Sequence, residues 1–182
     1  MGRLYNPMKK LNLGCGRDIK KGYINLDVIK TKGIDVVHNL EIFPYPFNDN
    51  YFDEIYCSHV LEHITKFIKV MEELYRISKD KAIIKVISPY FASSSAFHSD
   101  HKLFLTLQSF NYFLKDNFNN YMSIARFKII SKKIKFTRKR WWFSDIIEYP
   151  INKFQNIYER CFCFIIPFHE IEYILEVKKA NI

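Results

Sequence analysis

No uninterrupted apolar run in this chain approaches the roughly 20 residues that span a bilayer. The first ten residues, MGRLYNPMKK, contain no apolar signal segment. Cysteine is scarce: the four residues at 15, 57, 161 and 163 are too scattered to form a disulfide framework in 182 residues. These absences point to a soluble protein of a reducing cytoplasm. Acidic residues are outnumbered, 19 against 28 lysines and arginines. The resulting net charge of +9 favours an anionic partner, although Lys/Ile/Asn-rich stretches give the same sum. Internal repeats and linkers are also missing. What is present, 48% hydrophobic and 17% aromatic residues, excludes disorder. The length suits one core, so residues 1–182 read as one domain, with a ligand-binding half over about 1–90 and a substrate side over about 91–170.

The stretch His59-Val-Leu-Glu-His63 spells the H-x-x-E-H pattern of a zinc peptidase family. That chemistry needs both histidines inside one helix, so that positions i and i+4 share a face, plus a third ligand and a place for water. Here FDEIYCS, residues 52 to 58, reads as a strand. A helical spacing of Ile64, Phe67, Ile68, Met71, Leu74 and Tyr75 follows, with Lys66, Lys69, Glu72, Glu73 and Arg76 on the other face. HVLEH therefore falls at a strand-to-helix junction, and no metal site is expected.

Further strands are read at residues 10–13, 23–28, 34–38, 82–87, 125–136 and 171–178, with helical stretches at 101–118 and around Ile151, Phe154, Ile157, Tyr158, Cys161 and Phe162. Strands alternating with helices from residue 53 onward predict an α/β fold with a parallel sheet that binds ligands at the carboxyl ends of its strands.

The ordered set LNLGCGRD at 11 to 18, Asp27 closing the next strand, and YCSHVLEHI after a later one resembles the class I S-adenosylmethionine-dependent methyltransferases, of the small stand-alone type 11 kind. Residues 10 to 88 carry most of the resemblance. It implies a Rossmann-like fold with a mostly parallel central sheet and an antiparallel last strand, S-adenosylmethionine as cofactor and S-adenosylhomocysteine as product. Gly14, Cys15 and Gly16 would bring backbone N–H groups close to the cofactor. Asp27 would accept both ribose hydroxyls, as an acid at the end of a second strand does in dinucleotide folds. Asn39-Leu40 stand where the family usually has Asp-Leu beside adenine, and Ser58 and His59 would line the pocket near the sulfonium. Glu62 and His63 read as residues that begin and brace a helix, and Cys161-x-Cys163 as core.

Two departures from the family pattern stand out. Asn12 replaces an acid often found two residues before the first glycine, so a contact with the cofactor's amino group would run through water or be lost. Only Arg17 to Gly22 separate the glycine loop from the second strand, too few for a crossover helix, so the first helix is expected to be deleted. The family includes shortened versions with GYINLD-like segments.

Methyl transfer needs near-attack positioning and, for many acceptors, a base. His101 in FHSDHKLF is the first candidate and His59 the second, with His98 and Asp100 as substrate contacts. KKIKFTRKRWWF, residues 132–143, joins cations to Trp141 and Trp142. It and the following apolar stretch to residue 166 read as core, as a lid, or as a peripheral membrane contact at the inner membrane surface. The resemblance implies a small-molecule, saccharide or lipid-type acceptor. RNA is the competing substrate, since interleaved cations and aromatics suit nucleic acid. A non-catalytic, degenerate fold acting as a binding module is the second class of reading.

Overall fold

The computed structural model describes residues 8–118, 120–136 and 142–179. Its chain order is β1 (Lys10–Leu13), β2 (Ile24–Asp27), β3 (Val36–Val37), β4 (Phe52–Ser58), α1 (Phe67–Ile77), β5 (Ser78–Pro89), β6 (Phe127–Lys135), α2 (Ser144–Lys153), α3 (Gln155–Cys161) and β7 (Glu170–Val177). The strands form one seven-stranded sheet of order β3-β2-β1-β4-β5-β7-β6. Pairings among the first five strands are parallel, and β7 is antiparallel to both its neighbours. The topology is that expected from the sequence, including the antiparallel last strand.

One face of the sheet carries the core. Leu11, Leu13, Ile55, Cys57, Ile84, Val86, Tyr173 and Leu175 point into it and are buried against Val70, Met71, Leu74 and Ile77 of α1. The alternate positions explain how the sheet tolerates a deleted helix. The β1–β2 connection contains no helix, as the short Arg17–Gly22 spacing predicts. On the face it leaves, the paired positions are Asn12, Tyr56 and Lys85 rather than the unbroken apolar runs of a sheet covered on both sides. Lys10 pairs with Glu54 at 2.8 Å, Lys85 with Glu172 at 3.0 Å, and the Lys20 ammonium lies 4.2 Å above the Tyr56 ring. Polar side chains that find partners across strands replace the missing apolar layer.

Three expectations are corrected. Residues 101–118 form no long helix; the stretch holds one 3₁₀ turn at Asn111–Phe113. Its backbone is captured by tertiary partners instead: Lys102 and Leu103 donate to the Glu62 carbonyl, Leu107 to Glu159 Oε2 at 2.9 Å, and Phe91 to the Leu105 carbonyl. Leu105, Leu107, Phe110 and Phe113 are still buried, so the periodicity marked burial rather than helix. Strict strand–helix alternation therefore fails after α1. The apolar stretch after residue 143 is two helices, α2 and α3, broken at Phe154, whose backbone (φ −118°, ψ 40°) leaves the helical region. Asn152 on α2 closes the outer edge of the sheet, its amide oxygen accepting from Ile134 N at 2.8 Å and its amide nitrogen donating to Ile134 O at 2.9 Å. None of the helices among the described residues is long and apolar enough to cross a membrane.

Candidate functional site

The carboxyl ends of β1, β2 and β4 meet at two adjoining cavities of about 490 Å³ each, and Gly14, Gly16 and His59 line both. One is bounded by Asp27, Asn39 and Leu40; the other runs over Asn12, Cys15, Ser58 and Glu170. Every cofactor residue expected from the sequence lies on one or the other.

The glycine loop is shaped by two left-handed residues, Gly14 (φ +58°) and Gly16 (φ +51°). The two glycines are required for different reasons. A Cβ on Gly14 would lie 2.5 Å and 2.7 Å from the two methyl carbons of buried Val60, whereas one on Gly16 would meet nothing within 4 Å. Gly16→Ala is therefore expected to lose only about 1 kcal/mol from its left-handed backbone. Gly14→Ala should lose about 2 to 3 kcal/mol, because overpacking adds to the backbone term. Paired thermal melts measure the difference, and equal losses would remove the steric account. Between them, Cys15 N donates to Leu26 O at 3.0 Å, and burial pushes its thiol up to about 11, so it packs as an apolar residue.

Asp27 does more than wait for a ligand. Its Oδ2 accepts Gly16 N–H at 2.7 Å and its Oδ1 accepts Ile29 N–H at 3.1 Å, so the carboxylate fixes the loop while keeping lone pairs on the cavity side. Asn39 holds Glu41 N–H on its amide oxygen at 2.9 Å, which leaves one lone pair there. Asn12 is nearly fully buried and its amide nitrogen is committed to Asp18 O (2.7 Å) and Asn25 Oδ1 (2.9 Å). Asn25 Oδ1 also takes Lys20 N–H at 2.9 Å, and Asn25 N donates to Asp35 Oδ2 at 2.7 Å. These amides hold the shortened crossover in place of a helix. Sequence reasoning missed Asn25 and Asp35; the paired asparagines flanking so short a connection were the available signal.

His59 sits in the left-handed region (φ +56°), just before a 3₁₀ turn at Leu61–His63. It and His63 share no helical face, which removes the peptidase geometry. His59 Nε2 lies 2.9 Å from Glu170 Oε1, and Nδ1 lies 3.3 Å from Glu62 Oε1, within ion-pair range but without hydrogen-bond geometry. Both carboxylates are over nine-tenths buried, and Glu62 Oε2 accepts Ser88 Oγ–H at 3.0 Å. Glu62 thus anchors a buried polar network rather than a helix start. Glu170 was missed, since 111 residues separate it from His59 and only the antiparallel β7 brings them together.

A second histidine group stands beside the first cavity. His63 lines it, its ring centroid 4.8 Å from that of His101, which is 5.3 Å from that of His98. Asp100 Oδ2 is 3.2 Å from His63 Nδ1. His98, Asp100 and His101 are thus brought together, one residue back from the cavity wall. Trp142 is 86% exposed, stacks edge-on against Phe143, and lines neither cavity. Trp141 lies outside the described residues.

Comparison with known proteins agrees with this geometry. Residues 15–85 match the model of the Methyltransf_11 family, a methyltransferase domain. The uncharacterised protein MJ0638 of Methanocaldococcus jannaschii is 29% identical over 109 residues, covering 52% of this chain and 47% of that protein. The chain thus spans about half the length of the curated relative it matches. Among solved structures, a SAM-dependent methyltransferase from Archaeoglobus fulgidus superposes with a TM-score of 0.59 at 19% identity, over 93% of this chain and 86% of that one. A putative S-adenosylmethionine-dependent methyltransferase from Listeria monocytogenes gives 0.57 at 11% identity, over 96% and 92%. The [4+2]-cyclase SpnF gives 0.59 at 13% identity, over 98% and 77%. Identities this low establish a common fold. The matched family implies S-adenosylmethionine as the cofactor.

Proposed function

We propose, from the premise that this chain carries a class I S-adenosylmethionine-dependent methyltransferase domain, that it methylates a hydroxylated small molecule of saccharide or lipid type. One observation carries the reading: Gly14, Gly16 and Asp27 share a cavity wall, the glycine Cα of residue 14 packed where no side chain fits and the carboxylate braced but not filled. This matches a nucleoside with a ribose diol. Asp27 would hold the ribose, Asn39 and Leu40 the adenine, and Ser58 and His59 the methionine end. When bound, the cofactor supplies an electrophilic methyl group on a sulfonium.

The remaining work falls to positioning and proton removal. His59 faces a carboxylate from each nitrogen, so it orients Glu62 and Glu170 beneath the cavity and is poorly placed to take a proton. At the rim, His101 Nδ1 is held by the Ala96 carbonyl at 3.0 Å. A carbonyl only accepts, so Nδ1 bears the proton and Nε2 the lone pair. Proton removal is therefore assigned to the rim histidines, His101 first, with His98 and Asp100 contacting the acceptor. His101→Ala is expected to lower turnover roughly 100-fold while leaving cofactor affinity within about twofold. Single-turnover assays beside calorimetry check this, and an unchanged rate would remove His101 from the chemistry.

A lipid-linked acceptor is supported by the apolar surface of the second half. Ile146, Tyr149, Ile157, Phe164 and Ile165 are exposed along and beyond α2 and α3, close to Lys153. Such a surface suits a membrane interface. Isothermal titration with S-adenosylmethionine, followed by acceptor screens over saccharides and glycolipids with and without anionic vesicles, tests the whole reading. Absence of cofactor binding would shift the weight to a non-catalytic binding module. Methylation of RNA with binding that falls steeply in salt would replace the acceptor class.

A further inference from the structure

We infer that the rim histidines form a binding site for one divalent transition-metal cation, with Glu62, His63 and His101 as its protein ligands. Each of these offers one ligand atom, and the three atoms lie within 4.8 Å of one another; His98 and Asp100 form a second such group around the same His101. Convergence of donors is necessary but insufficient, and three independent features point to a cation.

The first is tautomer control. Nδ1 of His101 is tied to the Ala96 carbonyl at 3.0 Å, and Nδ1 of His63 to the Asp100 backbone carbonyl at 3.4 Å. Each ring therefore carries its proton on the pinned nitrogen and presents Nε2 as a lone pair. That is the outer-shell arrangement by which ligating histidines are oriented. The second is a carboxylate oxygen without a hydrogen bond. Glu62 is 1% exposed, and its Oε1 has no hydrogen-bond donor among the described residues, the His59 ring nitrogen at 3.3 Å being out of line. A buried carboxylate oxygen left in this state is costly, and a cation would satisfy it. The third is rigidity: the Glu62 carbonyl accepts both Lys102 N–H (2.6 Å) and Leu103 N–H (3.0 Å), which locks the histidine-bearing loop onto the turn that carries Glu62 and His63.

Two imidazoles and one carboxylate suit zinc and its neighbours rather than magnesium or calcium, and three protein ligands leave a coordination position open. His63 lines the first cavity, so that position lies beside the space assigned above to cofactor and acceptor. This use of the site rests on the methyl-transfer reading: the cation would hold an acceptor hydroxyl and lower its pKa, the rim histidines then serving as ligands rather than as separate bases. The binding of the cation does not rest on it.

The test titrates the purified full chain with Co²⁺ and with Zn²⁺ in the absence of S-adenosylmethionine. The expected result is one equivalent of Co²⁺ bound with visible d–d absorption, displaced by Zn²⁺ and weakened at least tenfold in His63→Ala and in His101→Ala. Because Glu62→Gln can disturb the buried network, imidazole NMR resonances provide a second readout. Zn²⁺ should move those of His63 and His101 and leave His38 in place. Absent d–d bands, or unchanged affinity in the two alanine variants, overturns the site. Cofactor affinity is measured separately by calorimetry: a chain that binds Co²⁺ but not the cofactor overturns methyl transfer alone, and one that binds the cofactor but not Co²⁺ overturns this inference alone.

Discussion

Asp27→Ala is expected to abolish measurable binding of S-adenosylmethionine and S-adenosylhomocysteine in calorimetric titration, a loss of at least 100-fold from a micromolar affinity, or about 2.8 kcal/mol. The size follows from two roles of one carboxylate. It would accept the ribose hydroxyls directly, and it already holds Gly16 N–H at 2.7 Å and Ile29 N–H at 3.1 Å. Hydrogen bonds to a charged acceptor contribute roughly 1.5 to 3 kcal/mol each, toward the lower end at a solvated site. The variant therefore loses the ligand contact and the shape of the loop together. Asp27→Asn keeps one acceptor oxygen and should fall between the two. Circular dichroism melts must accompany the titration: loss of binding in a protein that still melts cooperatively supports the cradle, and full affinity in Asp27→Ala would remove Asp27 from it.

His59→Ala should cost about 3 to 5 kcal/mol of stability, the range for breaking a buried ion pair on one side. For a chain of this size that lowers the melting temperature by about 10 °C. Glu62 and Glu170 are both nearly inaccessible to water, and the His59 ring stands between their carboxylates. Removing it withdraws ring nitrogens that lie 3.3 Å from Glu62 Oε1 and 2.9 Å from Glu170 Oε1, where water has little access. Backbone strain is separable, because His59 holds a positive φ of 56°. His59→Gly relieves that strain and should be more stable than His59→Ala by about 1 kcal/mol while still lacking the ion pair. Adding Glu62→Gln to His59→Ala should recover part of the loss, since the buried Glu62 Oε1 has no hydrogen-bond donor among the described residues. No recovery in the double variant would mean that the histidine acts through packing alone.

The site also explains why one fold accommodates unlike chemistries, including that of a neighbour named as a cyclase. On the proposed reading, loop and strand ends of the first half would hold the cofactor. The acceptor side would then fall to residues 90–125 and β7, where the described residues follow no regular pattern of helices. Differences in substrate among proteins of this fold are expected there.

What the sequence determined by itself was local. The strand at 52–58, the glycine loop and Asp27 are legible because alternation, φ preference and a terminal acid act within a few residues. The missing first helix was countable from the six residues Arg17 to Gly22. Tertiary structure decided the rest. Leu105, Leu107, Phe110 and Phe113 have an apolar spacing that reads as helix, yet Leu103 N–H goes to the Glu62 carbonyl, Leu107 N–H to Glu159, and the Leu105 carbonyl accepts Phe91 N–H, so long-range donors and acceptors outweighed propensity. Glu170 reaches His59 from 111 residues away because β7 runs antiparallel beside β5. No window along the chain contains that contact. Periodicity reports which residues are buried, whereas the partners that satisfy a buried charge are set only when strands far apart in sequence come to lie side by side.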